Sequence, residues 1–335
     1  MLENKIMLAH GSGGKLMHDL IGNFITKRLN NPILQELSDA AYLDCPKDIA
    51  FTTDSFVVSP LFFPGGDIGK LAVCGTVNDL VMMGSKPLYL SLGLIIEEGF
   101  EKKLLDKIID SISIASKDAG VLVVTGDTKV VEKGACDKIF INTSGLGRLI
   151  SKNKFSVKNI KPGDKVIVTG NIAEHGLAVL AKRNDLSFGF GIKSDCASLG
   201  GMILSLLKNN NAVKFMRDPT RGGLATTLNE VTASTHLGIV INEKNVPLGG
   251  KSKAACELLG IDPLYVANEG KAVLIVENKS AKNILLFLKK HRLGRRSAII
   301  GEVVSSPKGR VILNTVVGTS RILDMLTTEQ LPRIC

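Results

Sequence analysis

The chain has 335 residues, 44% of them hydrophobic, which is enough for two domains with cores of their own and too apolar for a disordered protein. Its formal charge of +10 suits an anionic ligand or an acidic partner, but the basic residues are scattered and aromatics reach only 4%. Nothing here reads as a nucleic-acid-binding motif. No apolar run approaches the roughly 20 residues of a bilayer span, and Glu3 and Lys5 stand where a secretory leader needs apolar residues. The expectation is a cytoplasmic protein that binds neither membrane nor nucleic acid. Six widely spaced cysteines (Cys45, Cys74, Cys136, Cys196, Cys256, Cys335) without a CxxC pair predict reduced thiols, with neither a disulfide framework nor a zinc site.

The first punctuation is the run Ala9 to Lys15, a glycine-rich turn feeding a predicted helix over about 16–28. Gly11, Gly13 and Gly14 let backbone approach a phosphate, and Lys15 adds a point charge at a helix start. The spacing is not that of a P-loop, so an ordinary flexible helix start is the alternative. Residues 49–58 are β-prone, with Asp54 set among apolar and hydroxyl side chains; a buried acid there needs a partner or a metal. The helix predicted over 67–84 is apolar nearly all round, which places it in a core or interface. Asp79 is its polar exception, either a hydrogen-bonded core acid or a ligand. A strand at 87–98, a helix at 101–119 stopped by Gly120 and a strand at 121–131 follow. That strand carries Asp127 and Lys129 two positions apart, hence on one face. Three isolated aspartates resemble a magnesium arrangement completed by substrate phosphates.

A further strand is expected at 138–149, and the polar, lysine-rich stretch 151–164 with Pro162-Gly163 reads as an inter-domain boundary. The second half restarts with a strand at 165–169 and a helix from about His175, where that histidine is expected to cap or pack. Its one polar island, Arg217-Asp218-Pro219-Thr220-Arg221-Gly222-Gly223, precedes a helix at 224–234. Two arginines and an acid there either position phosphates or rigidify a turn. Glu269 falls in a short loop before a strand at 272–276, and a helix at 281–292 and strands at 297–304 and 309–313 complete the second half. The last five residues, Leu331-Pro332-Arg333-Ile334-Cys335, should run extended because proline disfavours helix before it. From Leu326 onward the tail could sweep about 30 Å, enough to carry a thiol into an active site.

Together the Gly11 to Lys15 loop, Thr53-Asp54-Ser55, Asn78-Asp79, Thr125-Gly126-Asp127-Thr128, the Arg217 to Gly223 island, Ala267-Asn268-Glu269-Gly270 and the closing Pro332-Arg333-Ile334-Cys335 resemble the HypE family of hydrogenase maturation proteins. That family lies within the ATP-using superfamily typified by aminoimidazole ribonucleotide synthetase, and the resemblance covers essentially the whole chain. It implies an α/β protein of the α+β sandwich type. Residues 1–150 would form an ATP-binding domain whose sheet pairs across a homodimer, residues 151–320 an α/β domain, and residues 321–335 a flexible tail. It further implies that Cys335 receives a carbamoyl group from the carbamoyltransferase HypF, and that ATP with Mg²⁺ drives its dehydration to a thiocyanate. The cyano group would then pass to iron on the HypC–HypD complex, for a nickel–iron hydrogenase. By the same resemblance Asp54, Asp79 and Asp127 hold magnesium–ATP. Gly11, Gly13, Gly14, Lys15, Arg217, Asp218 and Arg221 complete the nucleotide site, and Glu269 and Lys129 handle the amide protons. The nearest rivals in the superfamily fit less well. Selenophosphate synthetase would place a cysteine or selenocysteine in the glycine-rich segment, and thiamine-monophosphate kinase has no use for a terminal thiol.

Overall fold

A computed structural model describes residues 5–11, 15–36, 40–41, 43–44, 46–150, 155–186, 191–325, 331 and 333–335. Its first elements are α1 (Lys15–Leu20), continued by a π-helical stretch over Ile21–Thr26, and a short α2 (Pro32–Gln35) capped by Asn31. β1 (Ile49–Phe56) alternates between outward residues such as Phe51 and Thr53 and inward ones such as Thr52, Asp54 and Phe56. A small ribbon, β2 (Phe62–Phe63) with β3 (Gly66–Asp67), leads into α3 (Ile68–Met82), whose start is held by Asp67 accepting from the Gly69 and Lys70 amides. β4 (Ser85–Glu97), α4 (Lys102–Ala119), β5 (Leu122–Val131) and β6 (Ile139–Leu149) complete a four-stranded sheet of order β1-β6-β4-β5. Its β4–β5 pair is parallel and the other two are antiparallel.

The all-round apolarity of α3 has a structural reason. One side packs on the four-stranded sheet and the other meets α4 and α6 (Gly200–Lys208), so almost every residue of it is buried. Close contact with β1 is possible because residue 75 is glycine; a Cβ there would come within 2.8 Å of the Phe56 ring.

The second half supplies β7 (Lys165–Val168), α5 (Glu174–Arg183), α6, β8 (Val213–Arg217), α7 (Gly223–Thr235), β9 (Gly238–Asn242), α8 (Gly250–Leu259), β10 (Val273–Val276), α9 (Asn278–Lys290), β11 (Ala298–Val304), β12 (Val311–Asn314) and β13 (Ser320–Ile322). These strands form a seven-stranded mixed sheet of order β13-β12-β9-β11-β7-β10-β8, in which β12 and β9 are parallel. Of its interior strands, β10 is apolar and buried along its length and β7 is so after Lys165, as expected of strands covered on both faces. One apolar cluster runs from the first sheet through α3 and α4 into α6, α9 and β10, and a second lies under α7. The continuity of the first cluster fixes the two sheets relative to each other, with a cleft between them lined by α3, the 194–199 segment and the 266–271 loop. Among the described residues no helix is long and apolar enough to cross a membrane.

Candidate active site

Three strand or helix ends and two loops converge on this cleft. Asp54 on β1 points toward α3, partly buried, and Asp79 one turn beyond Gly75 accepts a 2.9 Å hydrogen bond from Thr52 Oγ1. The polar island after β8 comes alongside. Its turn depends on Gly222 and Gly223, both at positive φ, and a Cβ on Gly223 would lie 2.7 Å from the carbonyl oxygens of Leu264 and Val266. This turn places Asp218 near Asp79 and sends Arg221 toward Asp54. Arg217 is held by a 2.9 Å ion pair with Glu230.

Electrostatically these carboxylates are crowded. Loss of water raises Asp54 and Asp79 above the usual carboxylate range, with the Asp54 charge adding to the shift of Asp79. Asp218 is pushed up to about 7, first by desolvation and then by Asp79. Glu269 is 3% exposed, its Oε1 has no hydrogen-bond partner, and burial followed by the Asp218 and Asp195 charges drives it well above the normal range. The loop that carries it is fixed through its backbone. Asp195 accepts from the amides of Glu269 and Gly270, and Asn78 on α3 donates to the Glu269 carbonyl while accepting from the Leu199 amide. Asp195 is itself buried against Lys271 at 3.1 Å.

Into this cluster comes the tail. The Val57 amide donates to the Cys335 carbonyl and the Ser59 amide to the Arg333 carbonyl, both at 3.2 Å, so the tail extends the line of β1 as an antiparallel partner. Arg183 donates to the Ser59 and Arg333 carbonyls, and Arg333 donates to the Val57 carbonyl and pairs with Asp137 at 2.7 Å. Arg333 sits at φ 51°, a left-handed conformation that costs a non-glycine residue about 1–2 kcal/mol. Ile334 is buried. The Cys335 thiol lies among Arg221, Glu269 and Asp54 and is pushed up to about 12 by burial and then by Glu269. In this docked position the sulfur is a neutral thiol.

Not every expected residue meets the others within one protomer. Asp127 shares a register row with Gly93, Asn142 and Ser55, whose side chains face away from α3, and it is three inter-strand spacings, about 14 Å, from β1. It pairs with Lys129 at 3.6 Å on that outer face, both side chains more than 60% exposed. Among the described residues no three His, Cys, Asp or Glu side chains group closely enough to hold a metal ion by themselves. Gly13 and Gly14 lie outside the described residues, Gly11 ends a 3₁₀ turn, and Lys15 begins α1. Pro332 and Cys45 also lie outside them, and the five other cysteines are free thiols. His175, expected only to cap or pack, is fully buried between Ser194 and the tail. Asp195 and Arg183 carried no signal in the sequence, because their roles depend on contacts with segments far away in the chain.

A cleft between a four-stranded and a seven-stranded sheet, lined by acids on β1 and α3, defines a class. Residues 37–149 match the N-terminal domain and residues 161–314 the C-terminal domain of AIR synthase related proteins. The carbamoyl dehydratase HypE of Rhodobacter capsulatus is 44% identical over 99% of both chains, and that of Escherichia coli K12 is 43% identical over 99% of this chain and 100% of its own. A solved structure of the hydrogenase maturation protein HypE in complex with ATP superposes with a TM-score of 0.95 at 44% identity, covering 98% of this chain and 99% of the other. A HypE–HypF complex gives 0.81 at 49% identity, over 93% and 100%. The chain belongs to the HypE family of carbamoyl dehydratases. Thiamine monophosphate kinase from Aquifex aeolicus, at 17% identity and a TM-score of 0.61, shares the fold alone.

Proposed function

We propose that this protein dehydrates an S-carboxamide on Cys335 to an S-cyanate at the expense of ATP, making the cyanide ligands of nickel–iron hydrogenase. The observation that carries this reading is the position of the Cys335 thiol beside Glu269, a buried acid with an unpartnered oxygen. An amide oxygen is a poor leaving group. Transfer of the γ-phosphoryl group of ATP to that oxygen, with release of ADP, turns it into a phosphate ester. Loss of phosphate breaks the C–O bond, and departure of both N–H protons leaves C≡N on sulfur. A carboxylate whose proton affinity is raised by burial suits the capture of one of these protons, which is the role of Glu269. Arg221, near both Asp54 and the sulfur, is placed to hold the leaving phosphate.

Magnesium fits the donor set. Asp54 and Asp79 are hard oxygen ligands whose charges are poorly neutralised within the protomer, and a magnesium ion takes one or two carboxylates plus substrate phosphates. Bound there, the ion neutralises triphosphate charge. Gly11 to Lys15, Arg217 and Asp218 complete the nucleotide site. The outward position of Asp127 and Lys129 is consistent with their acting in the site of a second subunit. In that arrangement the four-stranded sheets of a homodimer pair through their outer faces, and Lys129 takes the other proton. HypF would supply the carbamoyl group and HypC–HypD would accept the cyano group on iron. The proposed organisation retains an ATP-binding and dimerisation domain over 1–150, an α/β domain over 151–320 and a carrier tail over 321–335.

The test is the mass of the Cys335 peptide from carbamoyl-loaded protein with and without magnesium–ATP. Loss of one water only with ATP, accompanied by phosphate, is the expected result. An unchanged carbamoyl mass despite bound ATP would reduce the protein to a passive carrier.

A further inference from the structure

The docked tail is held on one side by backbone pairing and on the other by His175, whose surroundings determine where its proton lies. Nε2 is 2.9 Å from the Ile334 carbonyl oxygen, which can only accept, so Nε2 carries the hydrogen. Nδ1 is then a lone pair and takes the hydrogen of Ser194 Oγ, 2.8 Å away. That same oxygen accepts from the Cys196 amide at 3.0 Å. The next residue, Asp195, holds the Glu269 and Gly270 amides at 3.2 and 3.1 Å. A directed chain therefore runs from the tail backbone through an imidazole and a hydroxyl to the segment that fixes the Glu269 loop. The ring is fully buried, and the edge contact with Phe63 at a centroid distance of 5.4 Å leaves it one orientation. Ile334 itself is buried, so its carbonyl meets the ring away from solvent.

We propose that His175 is a positioning residue for the reaction, a latch that holds the Cys335 tail in the chamber through the Ile334 carbonyl and registers the docked tail against the Glu269 loop through Ser194. The assignment of a chemical consequence rests on the dehydratase reading above; the latch itself does not. Without the latch the tail spends more time out of the cleft. A partner that loads the thiol then meets it more often, while the step that needs Cys335 beside Glu269 slows.

Two substitutions separate the two ends of the ring. Glutamine at 175 can present an amide N–H near the position of Nε2, whereas asparagine is too short and reaches only the position of Nδ1. The first readout is the rate at which iodoacetamide modifies Cys335, followed on its own peptide by mass spectrometry. A half-buried neutral thiol in the docked state reacts more slowly than one on a free tail, so this rate rises with the undocked fraction. His175→Asn is expected to raise it about tenfold, the effect of losing one buried hydrogen bond, and His175→Gln to return it to near the wild-type rate. Single-turnover dehydration of carbamoyl-loaded protein should fall in parallel for asparagine and recover for glutamine, with the KM for ATP unchanged. Ser194→Ala, which leaves the ring in place and removes its anchor, should raise alkylation about threefold. It carries the test if the asparagine variant does not fold. Equal alkylation rates in folded His175→Asn and wild type, or an unaffected Ser194→Ala, would overturn the latch. Absence of water loss in the wild type would instead sink the dehydratase reading while leaving the alkylation result to decide the latch.

Discussion

Glu269 combines 3% exposure with an oxygen that no donor satisfies, an arrangement worth its cost only if a ligand or a proton arrives there. Glu269→Gln should leave ATP binding intact and slow dehydration by about 10²-fold or more, the usual contribution of one positioned base; single-turnover mass analysis alongside nucleotide titration checks both halves. Asp218 gives a pH prediction. Its carboxyl, ordinarily near 3.8, titrates near 7 in the folded protein, so between these values the folded state holds a proton that the unfolded chain has lost. Stability owed to this group is thus present at the acidic end and declines as pH rises through 7. Asp218→Asn should therefore raise the melting temperature at pH 8 and change it little at pH 4, as read by thermal unfolding across pH.

Helix α3 and strand β1 are the elements on which the site depends, because they place Asp79 and Asp54 opposite each other. Their spacing is set by Gly75, where an added methyl would press on the Phe56 ring and sit 3.6 Å from Asp54 Oδ2. Gly75→Ala should gain about 1 kcal/mol of helix propensity yet lose about 1–3 kcal/mol to overpacking. A lowered denaturant midpoint with weakened ATP affinity is the expected outcome. Most of the first half was legible at this scale. The strands over 49–58, 87–98, 121–131 and 138–149 fall within one to two residues of β1, β4, β5 and β6, since β-branched runs bounded by glycine and proline leave little choice. Five elements of the second half were passed over: α6, β8, β9, α8 and β13. α6 begins with two glycines and has only Ser205 and Lys208 to mark a polar side, so its amphipathic period is too short to read, and the five-residue strands β8 and β9 are too short to alternate convincingly.

Seen as a molecule, the protein brings together the candidate positions 54, 79, 218, 221, 269 and 335; sequence chemistry could flag the first five as an acid or arginine in an apolar or glycine-rich setting, and the last as a thiol closing an extended tail. The side on which a strand presents a residue was not legible. Asp127 looks equivalent to Asp54 in sequence, and only the register across three strand pairings places it on the opposite face. That face also exposes Phe51 at 66% and Ile95 at 44%, the kind of apolar surface that marks an interface. Phe51→Glu should yield a monomer in light scattering and lose ATP turnover while keeping its far-ultraviolet spectrum. A persistent dimer with full activity would place the subunit contact elsewhere.

The docking of Cys335 within the same polypeptide as Glu269 has a kinetic consequence. In the proposed reaction the sulfur that carries the substrate and the base are covalently joined, so the encounter between them is unimolecular and its entropy is already spent in folding. Loaded protein should convert along a single exponential whose half-life is the same at any protein concentration that keeps the subunits associated. Only nucleotide should saturate the rate, and an excess of unloaded copies should not compete. A half-life that lengthened on dilution, at fixed nucleotide and association state, would mean that one dimer acts on the tail of another.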